Sequence, residues 1–233
     1  MKSLKMFCIP HAGGSMASYS KLRFKLLSHM DVHNLELPGR GRRFEETFCE
    51  NMEEAVYDLY NQIADEISED PYVIFGHSMG SWLAFELYFK IKQEGLRLPN
   101  HLICSGNVTP SISSKSNSLQ KLNNKEFEEK IQEIGGLYSR YLNNEDVKKK
   151  YLPVLRADFN IVENYIFKGG ILDCNLTVLG GKSDPLTMGQ LGGWSNLTKK
   201  RFNIVEFDGG HFFLLDNVNT VSEVIIQYLS YLL

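Results

Sequence analysis

Short runs of apolar, β-branched and aromatic residues recur along the chain at Met6 to Ile9, Val32 to Leu37, Tyr72 to Phe75, His101 to Ser105, Leu176 to Leu179 and Phe202 to Phe207. Each has the length and composition of a strand. Between them, apolar residues return at spacings of three and four, which predicts helices over Tyr19 to His29, Met52 to Ile67, Ser81 to Gln93 and Val218 to Leu233. Strand alternating with helix predicts an α/β fold whose mostly parallel sheet carries helices on both faces.

One stretch breaks the alternation. Asn107 to Asn175 is too long for a single crossover and opens with the polar run Ser111 to Ser118. Two helical patterns follow, about Asn124 to Ile134 and about Glu145 to Phe167. An insertion at this point of a parallel sheet would lie over the carboxyl ends of the strands, where ligands bind. The expected organisation is one domain over residues 1–233 with a helical lid insertion at about 107–175.

Composition narrows the function. The apolar share is 43% and the charged share 23%, ordinary for a globular chain, and a net charge of −3 offers no broad basic surface for nucleic acid. The apolar run near the amino terminus, broken by Pro10, is shorter than the roughly 7–15 residues of a signal peptide, and no run approaches the roughly 20 of a spanning helix. A cytoplasmic protein without membrane contact is the expectation. Cys8, Cys49, Cys104 and Cys174 lack metal-site spacing and read as thiols.

The chemistry is concentrated in a few loops. Strand Tyr72 to Phe75 runs directly into Gly76-His77-Ser78-Met79-Gly80, and a helical pattern follows at once. This is Gly-x-Ser-x-Gly in the strand, sharp turn, helix setting that exposes a nucleophilic hydroxyl, here that of Ser78. Serine is a weak nucleophile near neutral pH and needs a base oriented by an acid. His211 follows two glycines between the last strand and the terminal helix, where the chain order Ser, Asp, His expects the base. Asp184 leaves the carboxyl end of the penultimate strand and is the favoured acid; Asp208 reads as a turn-former and Asp173 faces the opposite end of the sheet. His77 is expected to pack or support the turn, and His29, His33 and His101 to be structural or solvated. The oxyanion needs two amides, and Met79 and Ala12, the latter in the loop Pro10 to Ser15, are the candidates. The loop Leu37 to Arg43 places Arg40, Arg42 and Arg43 near the rim, either as a solvated turn or as a guide for an anionic partner. Lys148-Lys149-Lys150 reads as a solvated helix face.

Several of these blocks together resemble the type II thioesterases, α/β-hydrolases that serve nonribosomal peptide and polyketide synthases. They are Pro10 to Gly14, Leu37-Pro38-Gly39-Arg40-Gly41-x-Arg43, Phe75 to Gly80, Ala84-Phe85-Glu86, Leu155-Arg156-Ala157-Asp158 and Gly209 to Leu214, with Gly193-Trp194 after the acid loop. The resemblance implies an α/β-hydrolase fold with Ser78, Asp184 and His211 as nucleophile, acid and base, and the Ala12 and Met79 amides as oxyanion donors. It also implies hydrolysis of acyl groups from the phosphopantetheine thiol of acyl- or peptidyl-carrier protein domains. No cofactor or metal of the enzyme's own is implied, and a monomer is the default. A medium-chain fatty acyl thioesterase, or a carboxylesterase or lipase, would use the same serine machinery and is the alternative.

Overall fold

The six apolar runs form β1 (Lys5–Ile9), β2 (Asp31–Asn34), β3 (Tyr72–His77), β4 (His101–Ser105), β5 (Asn175–Gly181) and β6 (Phe202–Phe207) in a computed structural model that describes residues 4–112, 119–135, 137–187 and 189–233. Every neighbouring pair is parallel, and the order across the sheet is β2-β1-β3-β4-β5-β6. The helices are α1 (Ser20–Leu26), α2 (Met52–Ile63), α3 (Met79–Gln93), α4 (Asn124–Ile134), α5 (Leu137–Leu142), α6 (Glu145–Glu163), α7 (Phe213–Asp216) and α8 (Val218–Leu229). Alternate strand residues face opposite sides. Met6, Cys8, Val73 and Phe75 pack with Leu22, Leu26, Val221 and Ile225 of α1 and α8. Phe7, Ile9, Tyr72 and Ile74 pack on the other face with Leu59 of α2 and Leu83 and Leu87 of α3.

The departures from the sequence pattern have local causes. β2 stops at Asn34 instead of reaching Leu37. Leu35 still donates its amide to Cys8 (2.9 Å), but the Glu36 carboxylate then accepts the Met16 and Arg42 amides, and Pro38 has no N–H for a ladder. Leu35 and Leu37 are buried as loop residues, so their apolar character reflects burial and not pairing. Helix α2 tightens into a 3₁₀ turn at Ala64–Glu66, α3 begins two residues early, at Met79, and α1, α6 and α8 end early, at Leu26, Glu163 and Leu229. The insertion holds a third helix, α5, too short to show a helical repeat in sequence. Residues 113–118 of the serine-containing run lie outside the described residues.

The strand order places the site. β1 and β3 are neighbours, yet the chain leaves β1 toward β2 and leaves β3 toward β4. Loops after their carboxyl ends therefore diverge and open a crevice at this switch point. Helices α4 to α6 stand over it around a small core of their own, built from Phe127, Ile131, Tyr138, Leu142 and Leu155. Phe212, next to His211, reaches up into that core.

Candidate active site

Ser78 is the only non-glycine among the described residues with positive φ (56°). A residue strained in this way at a strand-to-helix turn needs its surroundings to over-determine it. They do. The Ser78 amide donates to Ser105 O (2.7 Å), the Asn107 amide nitrogen donates to Ser78 O (2.9 Å), and Ser81 Oγ ties Gly76 O and Ser105 O together. The flanking glycines are required by space: a Cβ at Gly76 would lie 1.9 Å from Gly80 O, and one at Gly80 would lie 2.4 Å from Ile9 O. The loop is thus pressed against its own helix and against the end of β1.

His211 Nε2 lies 2.9 Å from Ser78 Oγ, and its Nδ1 lies 2.9 Å from Asp184 Oδ2. Asp184 is fully buried, and its other oxygen accepts the Leu186 amide at 2.9 Å. A carboxylate only accepts, so Nδ1 carries the proton of that bond and Nε2 is left to accept from the serine hydroxyl. Three side chains from the carboxyl ends of β3, β5 and β6 therefore meet in one hydrogen-bonded row. Ala12 and Met79 line the same cavity, of about 630 Å³, as Ser78 and His211. Neither of their amides has a hydrogen-bond partner among the described residues, and Met79 opens α3, whose dipole favours negative charge there.

Residues 4–229 match the model of the thioesterase domain. The chain belongs to that family. It is similar to the gramicidin S biosynthesis protein GrsT of Aneurinibacillus migulanus, at 30% identity over 232 residues, 99% of this chain and 90% of that one. Among solved structures it resembles ClbQ from the colibactin NRPS/PKS pathway, with a TM-score of 0.93, 30% identity and coverage of 99% and 98%. It also resembles the type II thioesterase BorB from the borrelidin biosynthetic cluster, with a TM-score of 0.88, 28% identity and coverage of 97% and 93%. The chain is a thioester hydrolase of the α/β-hydrolase fold, and these likenesses place it with the type II thioesterases in preference to the fatty acid synthase enzymes.

The rival candidates of this thioesterase lie elsewhere. Asp208 is exposed and paired with Lys182 (2.7 Å), and Asp173, at the other end of the sheet, faces Lys200 (3.2 Å). His101 bonds Thr177 Oγ1 (2.8 Å) and Tyr231 (3.1 Å). His77 packs beneath the turn as expected, with Nδ1 2.8 Å from Ser105 Oγ. Burial, reinforced by the charges His211 and His11 can carry, holds its pKa well below the usual histidine range. The His11 imidazole is also buried, its ring nitrogens without a hydrogen-bond partner among the described residues, and burial, then His211 and Arg40, lower its pKa to about 3. Both imidazoles are neutral spacers around His211, at ring distances of 5.2 Å from His77 to His211 and 6.1 Å from His11 to His77.

Two of the three rim arginines are not free to guide a partner. Arg40 is 6% exposed, and its guanidinium forms a two-pronged pair with the fully buried Asp158 of α6, Nη2 lying 2.7 Å from Oδ1. Burial, the largest single influence, would lower the Arg40 pKa; the Asp158 charge and hydrogen bond, with Cys49 and Glu36, together outweigh it, and the net direction is upward. Arg43 is held by Asp58 (2.7 Å), Glu46 and Glu36 O. Arg42 alone of the three has an exposed side chain. Lys148 bridges Glu145 and Glu128, joining α6 to α4, while Lys149 and Lys150 are solvated.

Sequence reasoning assigned no role to the residues that hold the site from a distance. Asp158 accepts the Gly13 amide (2.6 Å), Tyr138 donates to Ala12 O (3.1 Å), and Trp194 and Trp82 donate to Asn107 O and Val108 O (both 2.9 Å), steadying the loop that carries Asn107. A signal existed for one of them. Asp158 occupies the apolar stripe of α6 with Val154, Leu155 and Ile161, and an acid in such a stripe needs a buried partner.

Proposed function

We propose that this thioesterase hydrolyses acyl groups carried on the phosphopantetheine thiol of acyl- or peptidyl-carrier protein domains, through an acyl-enzyme on Ser78. The observation that carries the reading is the Ser78, His211, Asp184 row at 2.9 Å and 2.9 Å, opening into a largely apolar cavity. Ser78 Oγ attacks the thioester carbonyl as its proton passes to His211 Nε2. The amides of Ala12 and Met79 hold the oxyanion, and buried Asp184 stabilises the imidazolium. The C–S bond then breaks, and the thiolate takes a proton from His211. A thiol with a pKa of about 8.5 leaves far more readily than an amine, so this protonation demands less than in amide hydrolysis. In the second half His211 deprotonates a water, which attacks the acyl ester and releases the acid with Ser78 restored.

The acyl group would lie among Trp82, Val108, Phe159, Val162 and Leu186 of the cavity wall. Helices α4 to α6 supply part of that wall and act as the lid in this reading; a carrier arm enters when they part. The chemistry asks for no cofactor of the enzyme's own. Among the described residues no helix is long and apolar enough to cross a membrane. The reading takes the enzyme as a cytoplasmic monomer.

The test compares one acyl group on a carrier protein with the same group on a small thiol. Carrier-bound substrate is expected to show kcat/KM at least about tenfold higher, a difference of about 1.4 kcal/mol in transition-state binding. Equal values would remove the carrier from the proposal. Ser78→Ala is expected to cut turnover by about 10⁴-fold or more while the thermal midpoint holds. Retained turnover would mean another nucleophile.

A further inference from the structure

We infer that Tyr138 and Asp158 are positioning residues: two lid helices grip one peptide unit of the oxyanion loop at both ends, so the Ala12 donor is held in place by the closed lid. This rests on the function proposed above. The Gly14 amide donates to His11 O (2.8 Å) and Gly13 has φ of +75°, so residues 11–14 make a type II turn whose central peptide joins Ala12 to Gly13. That peptide is rigid and planar, so fixing its oxygen and its hydrogen fixes its plane. Tyr138 of α5 donates to the oxygen, Ala12 O, at 3.1 Å, and Asp158 of α6 accepts from the nitrogen, Gly13 N, at 2.6 Å. Both bonds are buried, and they span 126 and 145 residues of sequence.

The polarity of the grip matters. A type I turn would reverse the central peptide and present an oxygen to the Asp158 carboxylate and an N–H to the Tyr138 hydroxyl proton. The Tyr138 hydroxyl could turn and accept from that N–H, but the Asp158 carboxylate only accepts and would face an oxygen, so Asp158 selects the turn type. Arg40 neutralises Asp158 and aims it, since its guanidinium engages both carboxylate oxygens. With the Ala12 carbonyl taken, its own N–H is the residue's remaining polar group, and Ala12 lines the cavity beside Ser78. If the lid swings away, the carboxylate and the hydroxyl leave with it, and nothing local to the turn replaces them.

The experiment uses Tyr138→Phe, which removes one oxygen and keeps the ring, and Asp158→Asn. Turnover is expected to fall about tenfold for the first and about a hundredfold for the second, smaller than or comparable to loss of a whole oxyanion donor, with KM within about twofold. An alkyl boronic acid that forms a tetrahedral anion on Ser78 is expected to lose affinity by the same factors, while a non-hydrolysable acyl-pantetheine amide binds unchanged. By reciprocity, the boronate must steady the lid as much as the lid steadies the donor, so backbone hydrogen exchange in residues 137–142 slows on boronate binding in the native enzyme and not in Tyr138→Phe. Unchanged boronate affinity in Tyr138→Phe, or parallel losses of boronate and amide binding with a lowered melting point, would overturn the inference. If Asp158→Asn does not fold, Tyr138→Phe decides alone. Boronate that binds Ser78→Ala as well as the native enzyme would instead overturn the nucleophile, and the inference with it; normal binding by the native enzyme with variants that match it overturns the inference alone.

Discussion

Two loops meet over the same reacting atoms, and they are held in opposite ways. The nucleophile turn, Gly76 to Gly80, is held by close backbone packing and by bonds to the sheet it rises from, at Ser105, Asn107 and the end of β1. Its glycines are demanded by backbone atoms four residues or one strand away, with contacts as short as 1.9 Å to a hypothetical Cβ. The oxyanion turn, residues 11–14, has one hydrogen bond of its own and is otherwise held by Tyr138 and Asp158 from far along the chain. A Cβ at Gly13 would meet the Tyr151 hydroxyl at 2.6 Å and a Leu155 methyl at 2.7 Å, both the far ends of lid side chains. One loop is fixed by backbone atoms of its own helix and of the adjoining strands. The other takes its shape from side chains of α5 and α6, far along the chain.

This contrast can be broken by measurement. The largest effect is expected from Gly76→Ala, where backbone must give way: about 4 kcal/mol or more of stability, seen as a collapse of the urea midpoint. Gly13→Ala is expected to cost about 1–2 kcal/mol, since only the left-handed backbone penalty and yielding side chains oppose it. Equal losses at the two glycines would show that both turns are held in the same way. Next comes Arg40→Ala, which leaves the Asp158 carboxylate buried without its cation and should cost about 3 kcal/mol or more. It should also depress turnover of carrier-bound and small thioesters by similar factors, through the oxyanion turn. Exposed Arg42→Ala should change stability by no more than about 0.5 kcal/mol. A loss after Arg40→Ala confined to carrier substrates would restore the guiding role that the buried pair argues against.

A pH effect is common to the two loops, since His77 and His11 are both buried neutral imidazoles, and it can be read at His11. His11, in the oxyanion turn, is neutral when folded, with a pKa of about 3, whereas in the unfolded chain it titrates near the ordinary histidine value of 6.5. Only the unfolded chain binds that proton between the two values. Its stabilising contribution is therefore full above about pH 6.5 and falls as pH drops toward 3, a loss of about 2 kcal/mol by pH 5. Urea midpoints at pH 7 and pH 5 should differ by less in His11→Phe than in the native chain. An identical drop would mean that other groups carry the acid sensitivity.

The row of Ser78, Asp184 and His211 was legible because each residue sits at the carboxyl end of a strand, and strands that alternate with helices bring those ends to one edge of the sheet. The placement of Ala12 and Met79 beside the same cavity follows for the same reason. The arginine loop was misjudged at Arg40 and Arg43, whose charges look solvent-facing in sequence and are spent on Asp158, Asp58 and Glu46. The apolar run Val32 to Leu37 overstated β2 because burial and strand pairing leave the same hydrophobic trace.

What the amino-acid order settled by itself was everything governed by short-range sterics and periodicity: the alternating strands and helices, the strained serine between its glycines, and the chain order of the three polar residues. Only the tertiary structure decided which charges are buried, which peptide Tyr138 and Asp158 hold, and that Phe212 ties the His211 loop to the core of α4 to α6. The reason is physical. A local clash or a repeat acts within a few bonds and can be read from contiguous residues, whereas a hydrogen bond between residues more than a hundred positions apart exists only after the chain has folded the two together.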